Sequence, residues 1–520
     1  MNTGKTFKIF ERISVYILLS FLMFILVSSL LARAEYCGYK YYDNPVWNRQ
    51  DFFSLILAVL VLFCAFVLLY KLGRAFNRFE RKSVIFTIIL LSASVQVLFI
   101  LLFPANQFAD QDAVNTIAYM IIQGDYSAFQ ERGYLYLYPN NIGISLFLSL
   151  LYRICPIPLL LPKLLNVLFS SITTYLIFRI YEETIGAGRE INYSILVLSG
   201  FFLPVILLNN LVYNDIYSTT FFTGAVYYAE RYVKTRKRQY LMLVGAMIIA
   251  GDFLRPLGLI FIIAIFLYFA IRRLPVAKMF AFFAVVFILC KLPLYAVNIW
   301  LLSTGKISEP VGVNSIPIHM WLNIGMNEQK FGYWDDSYSF NIYINEGQWN
   351  KERSIRIYRE LIKKTIDEKG VLGIANTYLK KNIWLWTEGT YQAEYYGIGS
   401  WGYMYQTLAT DLLSGNTYFR DGIRWFLHVV NLLILSLSFC GLVKAAGKKY
   451  EYPLILQVIV ILGFIGFYTL WEIKPRYIYP AYPYLILTSF HGLSILEESF
   501  SRLFESLRKR QERIKPYEYT

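Results

Sequence analysis

Residues 52–104 read FFSLILAVLVLFCAFVLLYKLGRAFNRFERKSVIFTIILLSASVQVLFILLFP. Two apolar stretches in this segment are each about as long as the roughly 20 residues that cross the hydrocarbon core of a bilayer. The basic segment Lys71–Lys82 separates them. Basic segments between apolar stretches are typical of loops kept on the cytoplasmic side. The pattern therefore predicts two membrane-spanning helices joined by a cytoplasmic loop.

The whole chain has the composition of a membrane protein. Of its 520 residues 57% are hydrophobic and 16% are charged, whereas soluble proteins are usually about 45–50% apolar and about 25% charged. The net charge is +15, but the basic residues form short clusters between apolar blocks. This distribution favours cytoplasmic loops over a nucleic-acid-binding surface. We therefore expect an all-α integral membrane protein with membrane lipids, and no nucleic acid, as partners.

The remaining basic clusters, around residues 234–238, 272–278 and 444–449, set the orientation. They predict about twelve transmembrane helices in the cell membrane, with both termini cytoplasmic. Asn141–Cys155 is too short to cross and is predicted to lie in the outer interface. The predicted spans are 13–32, 52–71, 83–104, 158–180, 192–212, 214–232, 240–254, 256–271, 279–302, 423–443, 453–471 and 478–496.

The same reading divides the chain into five parts. Two additional helices (1–82) precede a catalytic membrane module (83–303) that includes a first outer loop (105–157). A large outer region (304–422), nearly neutral in charge, is followed by the C-terminal spans (423–496) and a basic cytoplasmic tail (497–520). Within the outer region, Lys351–Glu368 has helical apolar spacing and is predicted to end at Gly370.

Two acids of the first outer loop, Asp110 and Asp112, stand just past a predicted span. Each could act as a general base, as a metal ligand, or as a cap for a helix that follows. The tyrosines later in this loop, including Tyr138, have the character of an interfacial belt. Five cysteines and three histidines are scattered without the spacing of a disulfide framework or a structural metal site.

Charged residues recur at the predicted outer ends of later helices. Asp215 falls close to hydrocarbon, where ionisable residues are costly and are often functional. Arg255 needs either Asp252 or an anionic ligand as its partner. Lys474 and Arg476 are basic residues on the outer side, against the positive-inside pattern. They could extend to lipid headgroups, or they could bind phosphate, which arginine holds through paired hydrogen bonds.

The order of these features resembles the GT-C superfamily of glycosyltransferases that use polyprenyl-phosphate sugars. The chain looks similar to the group of protein O-mannosyltransferases and lipid A aminoarabinose transferases, and to Gram-positive bacterial homologues of that group. The resemblance covers about residues 83–496. Asp110-Gln111 stands where some relatives have an Asp-Glu pair, and Tyr138-Pro139-Asn140 stands where the aminoarabinose enzymes have a Glu-Lys-Pro-Pro-like element. The matching features are Asp110-Gln111-Asp112, Asp215, Arg255-Pro256 and Lys474-Pro475-Arg476-Tyr477.

The resemblance implies transfer of a sugar from a polyprenyl-phosphate donor to an extracytoplasmic acceptor hydroxyl on a glycan, lipid or protein. It implies that Asp110 or Asp112 is the base, and that Arg476, Lys474 and Arg255 bind the donor phosphate. Asp215 and Tyr138 would support the site. No cofactor is required, although Asp112 and Asp215 could bind a divalent cation. The alternative function is a transporter or flippase of lipid-linked sugars.

Overall fold

The computed structural model describes residues 3–36, 45–155, 159–447 and 452–514. Within these residues the chain is mostly helical and has almost no sheet, as the apolar blocks predict. The helices are α1 (Thr3–Leu31), α2 (Phe52–Ala75), α3 (Arg81–Leu102), α4 (Asp110–Ile122), α5 (Tyr134–Leu137), α6 (Ile142–Ile154), α7 (Leu160–Glu183), α8 (Ser194–Gly200), α9 (Leu203–Leu208), α10 (Asp215–Thr235), α11 (Arg238–Leu254), α12 (Gly258–Ile271), α13 (Val276–Ser303), α14 (Ile318–Gly325), α15 (Lys351–Glu388), α16 (Ala393–Ile398), α17 (Thr417–Ala446), α18 (Ile455–Leu470) and α19 (Tyr482–Ile514).

Six helices of the described residues are long and apolar enough to cross a membrane. Two further apolar helices, α12 and α18, are shorter. The all-α membrane class is confirmed, and the total of twelve crossings stays a prediction. Residues 448–451 and 515–520, which fall in the predicted cytoplasmic cluster and tail, lie outside the described residues. The six candidate spans are Lys8–Leu31, Phe52–Arg78, Arg81–Leu102, Leu160–Glu183, Val276–Ser303 and Thr417–Ala446.

The predicted span 192–212 is broken into two short helices, α8 and α9. Pro204 stands in the first turn of α9 and has no N–H to donate to the preceding turn. The carbonyl of Gly200, at the end of α8, instead accepts hydrogen bonds from Ser92 Oγ (2.6 Å) and Gln96 Nε2 (3.2 Å) of α3. Polar side chains of a neighbouring helix thus satisfy a backbone group that lipid could not satisfy.

Residues 304–422 contain the helix predicted over Lys351–Glu368, and a short sheet that the sequence does not predict packs beside it. Asn350 caps α15 by accepting a hydrogen bond from the Arg353 N–H (2.8 Å). Gly370 has φ 62° and ψ 178°, which divides α15 into two helical halves and confirms the predicted end at this residue. Near the second half of α15, β1 (Ala32–Tyr36) pairs antiparallel with β2 (Pro45–Arg49), and the Ala34 N–H donates to Thr387 Oγ1 (3.3 Å).

Ion pairs mark one end of the helical bundle. Glu183 at the end of α7 pairs with Arg231 (2.7 Å) and Lys234 (2.9 Å) near the end of α10. Glu182 pairs with Arg81, the first residue of α3 (2.6 Å). The end of α3 and the start of α10 therefore lie at the opposite end of the bundle, where the first-loop acids and Asp215 are found.

Candidate active site

Asp215 joins three distant segments of the chain. It is the first residue of α10 and is buried. Its Oδ1 accepts a hydrogen bond from Arg255 Nη1, and its Oδ2 accepts one from Arg476 Nη1. Arg255 directly follows α11, and Arg476 lies in the loop between α18 and α19. The carboxylate of Asp215 thus holds Arg255 and Arg476 side by side. These are two of the residues predicted to bind the donor phosphate.

The alternative pairing of Arg255 with Asp252 is wrong. The Oδ1 atom of Asp252 accepts a hydrogen bond from the N–H of Gly258 (2.8 Å), the first residue of α12. The N–H groups at the start of a helix have no partner within the helix. Asp252 accepts the hydrogen bond of one of these N–H groups, and Arg255 pairs with Asp215 instead.

Arg476 lies in an aromatic and polar enclosure. Its guanidinium carbon is 5.0 Å from the ring centroid of Tyr213 and 5.5 Å from that of Tyr396. With its amide nitrogen turned toward the Phe108 carbonyl, Gln111 accepts a hydrogen bond from Arg476 Nη2 (3.2 Å). The buried Nε of Arg476 has no hydrogen-bond partner within the described residues. Two guanidinium groups with one shared carboxylate leave one positive charge, which favours an anionic ligand.

Asp110 connects to this cluster through a chain of hydrogen bonds. It is the first residue of α4 and is half-buried. The hydroxyl of Tyr134 donates to Asp110 Oδ1 (2.9 Å) and accepts from Asn141 Nδ2 (2.8 Å). Asn141 Oδ1 in turn accepts from the hydroxyl of Tyr213 (2.8 Å), whose ring lies beside Arg476. The first-loop acid and the arginine of the last loop therefore belong to one site.

The backbone before Asp110 is strained. Ala109 has φ 50° and ψ −125°, a conformation that a side chain disfavours. Such conformations cost about 1–3 kcal/mol and cluster at functional sites. At this position the strained residue directs the following carboxylate from the start of α4 toward Tyr134.

A second charged pair borders the site. Lys474 Nζ lies 3.8 Å from Oε1 of the buried Glu472. Burial raises the pKa of Glu472 to about 7, and the charge of Lys474 opposes that shift. Burial tends to lower the pKa of Lys474, but Glu472, Tyr333 and Asp110 act in the opposite direction, and the net shift is upward. Lys474 therefore keeps its positive charge in the field of both carboxylates.

The two other predicted residues have smaller structural roles. Asp112 is exposed on α4, and its carboxylate forms no cap at the start of that helix. Tyr138 is half-buried, and its ring centroid lies 5.2 Å from that of Tyr134 and 6.4 Å from that of Trp321. Burial and then the charge of Asp110 raise its pKa, so its hydroxyl stays protonated beside the site.

The structure favours arginine over a divalent cation as the partner of Asp215. Both oxygens of Asp215 are bound by arginine, while Asp112 points to the exposed side of α4. Across residues 3–36, 45–155, 159–447 and 452–514, no group of three or more His, Cys, Asp or Glu residues is placed to hold a metal ion.

Several residues of the site escape sequence reasoning. The sequence groups Tyr134 with the interfacial tyrosines, yet its hydroxyl donates a hydrogen bond directly to Asp110. Gln111 lies between Asp110 and Asp112, and Tyr213 lies two residues before Asp215. This closeness to predicted acids is the one feature of the sequence that points to them. The burial of Lys381 in α15 could not be predicted from the sequence, because it resembles the other lysines of an amphipathic helix.

Lys381 fixes the start of the loop that carries Lys474 and Arg476. It is fully buried, and its Nζ donates to the carbonyls of Gly325 (3.1 Å), Thr469 (3.1 Å) and Trp471. Carbonyls at the end of α18 lack partners within the helix, and a cation there also suits the helix dipole. Burial lowers the pKa of Lys381 to about 7. This lysine therefore positions the last loop without facing the site itself.

Replacing Asp215 with asparagine should destabilise the protein measurably. Both buried arginines lose their charged partner. The single amide oxygen of asparagine can accept a hydrogen bond from only one of them, and leaving the other unsatisfied typically costs about 1–3 kcal/mol. Thermal unfolding in detergent, followed by tryptophan fluorescence, should show a lower midpoint. The matched control is Asp112→Asn, which changes an exposed carboxylate and should leave the midpoint unchanged. Equal midpoints for the two variants would contradict the bridging role of Asp215.

Comparison with known proteins finds a match to one family over part of the chain. Among curated proteins none matches the chain. The model of the Alg9-like mannosyltransferase family matches residues 124–302, about a third of the chain. The match includes Asp215 and Arg255, and Asp110 and Arg476 lie on either side of it. It supports a glycosyltransferase of the GT-C type, while the narrower resemblance to protein O-mannosyltransferases and aminoarabinose transferases stays a prediction. Over these residues the chain is similar to the Alg9-like mannosyltransferases.

Proposed function

We propose that this protein is a membrane glycosyltransferase that moves a sugar from a polyprenyl-phosphate donor to an acceptor hydroxyl. The observation that carries the proposal is the pair of arginines, Arg255 and Arg476, held by Asp215 beside the helix that begins at Asp110. A carboxylate and a cluster of excess positive charge are the two groups that this reaction needs. The family match over residues 124–302 supports the same class of activity.

The donor phosphate binds at Arg476, with Lys474 and Arg255 contributing charge. The unpartnered Nε of Arg476 is a buried donor suited to a phosphate oxygen. Lys474 keeps its charge because Glu472 and Asp110 stand near it. These cations stabilise the negative charge that grows on the phosphate as the bond to the sugar breaks.

Asp110 acts as the general base. Tyr134 occupies its Oδ1, which orients the carboxylate so that the other oxygen can take the proton of the acceptor. The acceptor oxygen then forms a bond to the anomeric carbon on the face opposite the phosphate. The carbon–oxygen bond to the phosphate breaks, the polyprenyl phosphate leaves with the electron pair, and the configuration inverts. Asp112 is the weaker candidate, because it is exposed and outside the hydrogen-bond network.

The sugar that we propose is mannose, in line with the description of the matching family. The acceptor is a glycan, lipid or protein that carries a free hydroxyl. We further propose that the site faces the outside of the cell membrane and that both termini are cytoplasmic. The prenyl tail of the donor would remain in the bilayer, which suits a site at the ends of α3, α11 and α18.

The proposal can be tested with purified protein in lipid vesicles. Polyprenyl-phosphate mannose is supplied with candidate acceptors, and release of polyprenyl phosphate is measured together with transfer of labelled mannose. We expect both products in equal amounts. Movement of intact donor across the vesicle membrane without release of phosphate would contradict the proposal and favour a transporter. Parallel assays with glucose and galactose donors test the choice of sugar.

Donor binding should tighten as the pH falls through about 7. The pKa of Glu472 is raised to about 7, chiefly by burial, so the carboxylate is charged above this pH and neutral below it. Below pH 7 the donor phosphate loses a repulsive neighbour, which is worth roughly tenfold in KM at a separation of about 10 Å and an effective dielectric constant of about 20. KM for the donor is measured between pH 6 and 8.

The matched variant for this measurement is Glu472→Gln, which is neutral throughout. We expect its KM at pH 8 to equal that of the parent at pH 6, and to vary little with pH. A variant with the same pH dependence as the parent would show that another group is responsible.

A further inference from the structure

Residues 401–418, which we call the interfacial segment, are attached to the chain just before Asp110. The N–H of Met404 donates to the carbonyl of Pro104 (2.8 Å), and the N–H of Asn106 donates to the carbonyl of Gly402 (3.0 Å). The ring of Trp401 stacks on that of Phe108, with centroids 3.9 Å apart and planes 2° from parallel. The segment therefore borders the candidate active site.

Large apolar side chains of this segment are exposed although the sequence places it outside the membrane. Its 18 residues include one charged side chain, Asp411. Monomeric soluble surfaces rarely group so many exposed apolar side chains. The exposed fractions are 50% for Trp401, 44% for Tyr405, 76% for Leu408, 64% for Leu412 and 89% for Tyr418.

The spacing of these residues gives the segment an apolar face. Leu408 and Leu412 stand four residues apart in the helical part of the segment, which places them on one side of it. Tyr405 lies in the bend just before this helical part. The backbone from 408 to 414 is helical, with a π-helical turn over Thr410–Ser414. Short amphipathic helices with aromatic and leucine residues on one face are typical of the membrane interface.

Hydrogen bonds attach the segment to the end of α3. The hydroxyl of Tyr405 donates to the carbonyl of Leu101 (3.2 Å), and Thr407 Oγ1 donates to the carbonyl of Leu102 (2.6 Å). These carbonyls end α3, a candidate span whose side chains at Leu98, Leu101 and Leu102 are themselves exposed. At its other end the segment leads into α17, another candidate span. Its apolar face thus continues the surface that α3 presents to lipid.

We propose that the interfacial segment lies in the headgroup region of the leaflet on the side of the candidate active site, with its apolar face toward the acyl chains. Its occupant is the lipid surface. Through the Phe108–Trp401 stack, the segment fixes the height of Asp110 above the hydrocarbon. This is the height at which a lipid-borne phosphate would meet the site, although the proposal itself does not depend on the transferase activity.

The test measures depth directly and needs no substrate. The full chain, with its five cysteines replaced by alanine, carries a nitroxide label at Leu408→Cys or, separately, at Leu412→Cys or Tyr418→Cys, and is reconstituted in nanodiscs of neutral lipid. Power saturation compares collisions with oxygen and with a water-soluble nickel chelate. Labels at the exposed Leu57 of α2, a candidate span, and at the exposed Lys364 of α15 provide the lipid and water references.

We expect the three labels to collide more with oxygen than with nickel, and to fall between the references but nearer to Leu57. Nickel accessibility equal to that of Lys364 would place the segment in water and overturn the proposal. Shielding from both reagents would show that a protein surface covers it, and would overturn the proposal as well. Loss of sugar transfer activity would not affect either outcome, so failure here is distinguishable from failure of the proposed function.

Discussion

Replacing Asp110 with asparagine should lower kcat for sugar transfer by about 10²–10⁴-fold, the usual contribution of a general base. Asparagine has the same shape and can still accept the hydrogen bond from Tyr134, so the site should remain assembled. It cannot take the proton of the acceptor. KM for the donor should change little, because the arginines that bind the phosphate are untouched. Initial rates of labelled mannose transfer in vesicles give both constants.

Asp112→Asn is the matched control for this prediction. It makes the same chemical change two residues away, on the exposed side of α4, and should alter kcat by less than about threefold, as expected for a surface substitution. If Asp110→Asn transferred sugar at the parent rate while Asp112→Asn did not, the base would be Asp112. If both retained the parent rate, the first outer loop would not supply the base.

Replacing Arg476 with methionine should lower kcat by roughly 10²–10³-fold, the typical loss when one donor to a developing negative charge is removed. The growing charge on the leaving phosphate would lose its nearest guanidinium. Methionine fills much of the same apolar volume, and Asp215 keeps Arg255 as its partner, so the fold should survive. Single-turnover measurements with saturating donor separate this effect from weaker donor binding.

Arg476→Lys is the informative companion variant. Lysine keeps the charge but lacks the rigid planar fork with which arginine can hold phosphate through paired hydrogen bonds while another N–H binds Asp215. We expect it to recover part of the lost kcat and to remain at least about tenfold below the parent, because a hydrogen bond to a charged group contributes roughly 1.5–3 kcal/mol. A lysine variant as active as the parent would reduce the role of Arg476 to charge alone. A methionine variant as active as the parent would exclude Arg476 from the site.

The sequence alone predicted most of the long helices of this protein and singled out four charged residues that the structure brings into one cluster. Apolar blocks of fixed length predict spanning helices because a helix must cross about 30 Å of hydrocarbon whatever surrounds it. The break in α15 at Gly370 could also be predicted from the sequence, because the positive φ there suits glycine. Asp110, Asp215, Arg255 and Arg476 were recognisable because charge at the ends of membrane helices is costly without a partner.

Only the tertiary structure decided which of these residues meet. Arg255 had a plausible partner three residues away in Asp252, yet it binds Asp215, because Asp252 caps α12. The link from Asp110 through Tyr134 and Asn141 depends on how α4 packs beside the following turn. Hydrogen bonds between segments tens to hundreds of residues apart leave no periodic trace in a sequence. Pattern and length fix where a helix begins and ends, while side-chain partners are fixed only when the helices pack.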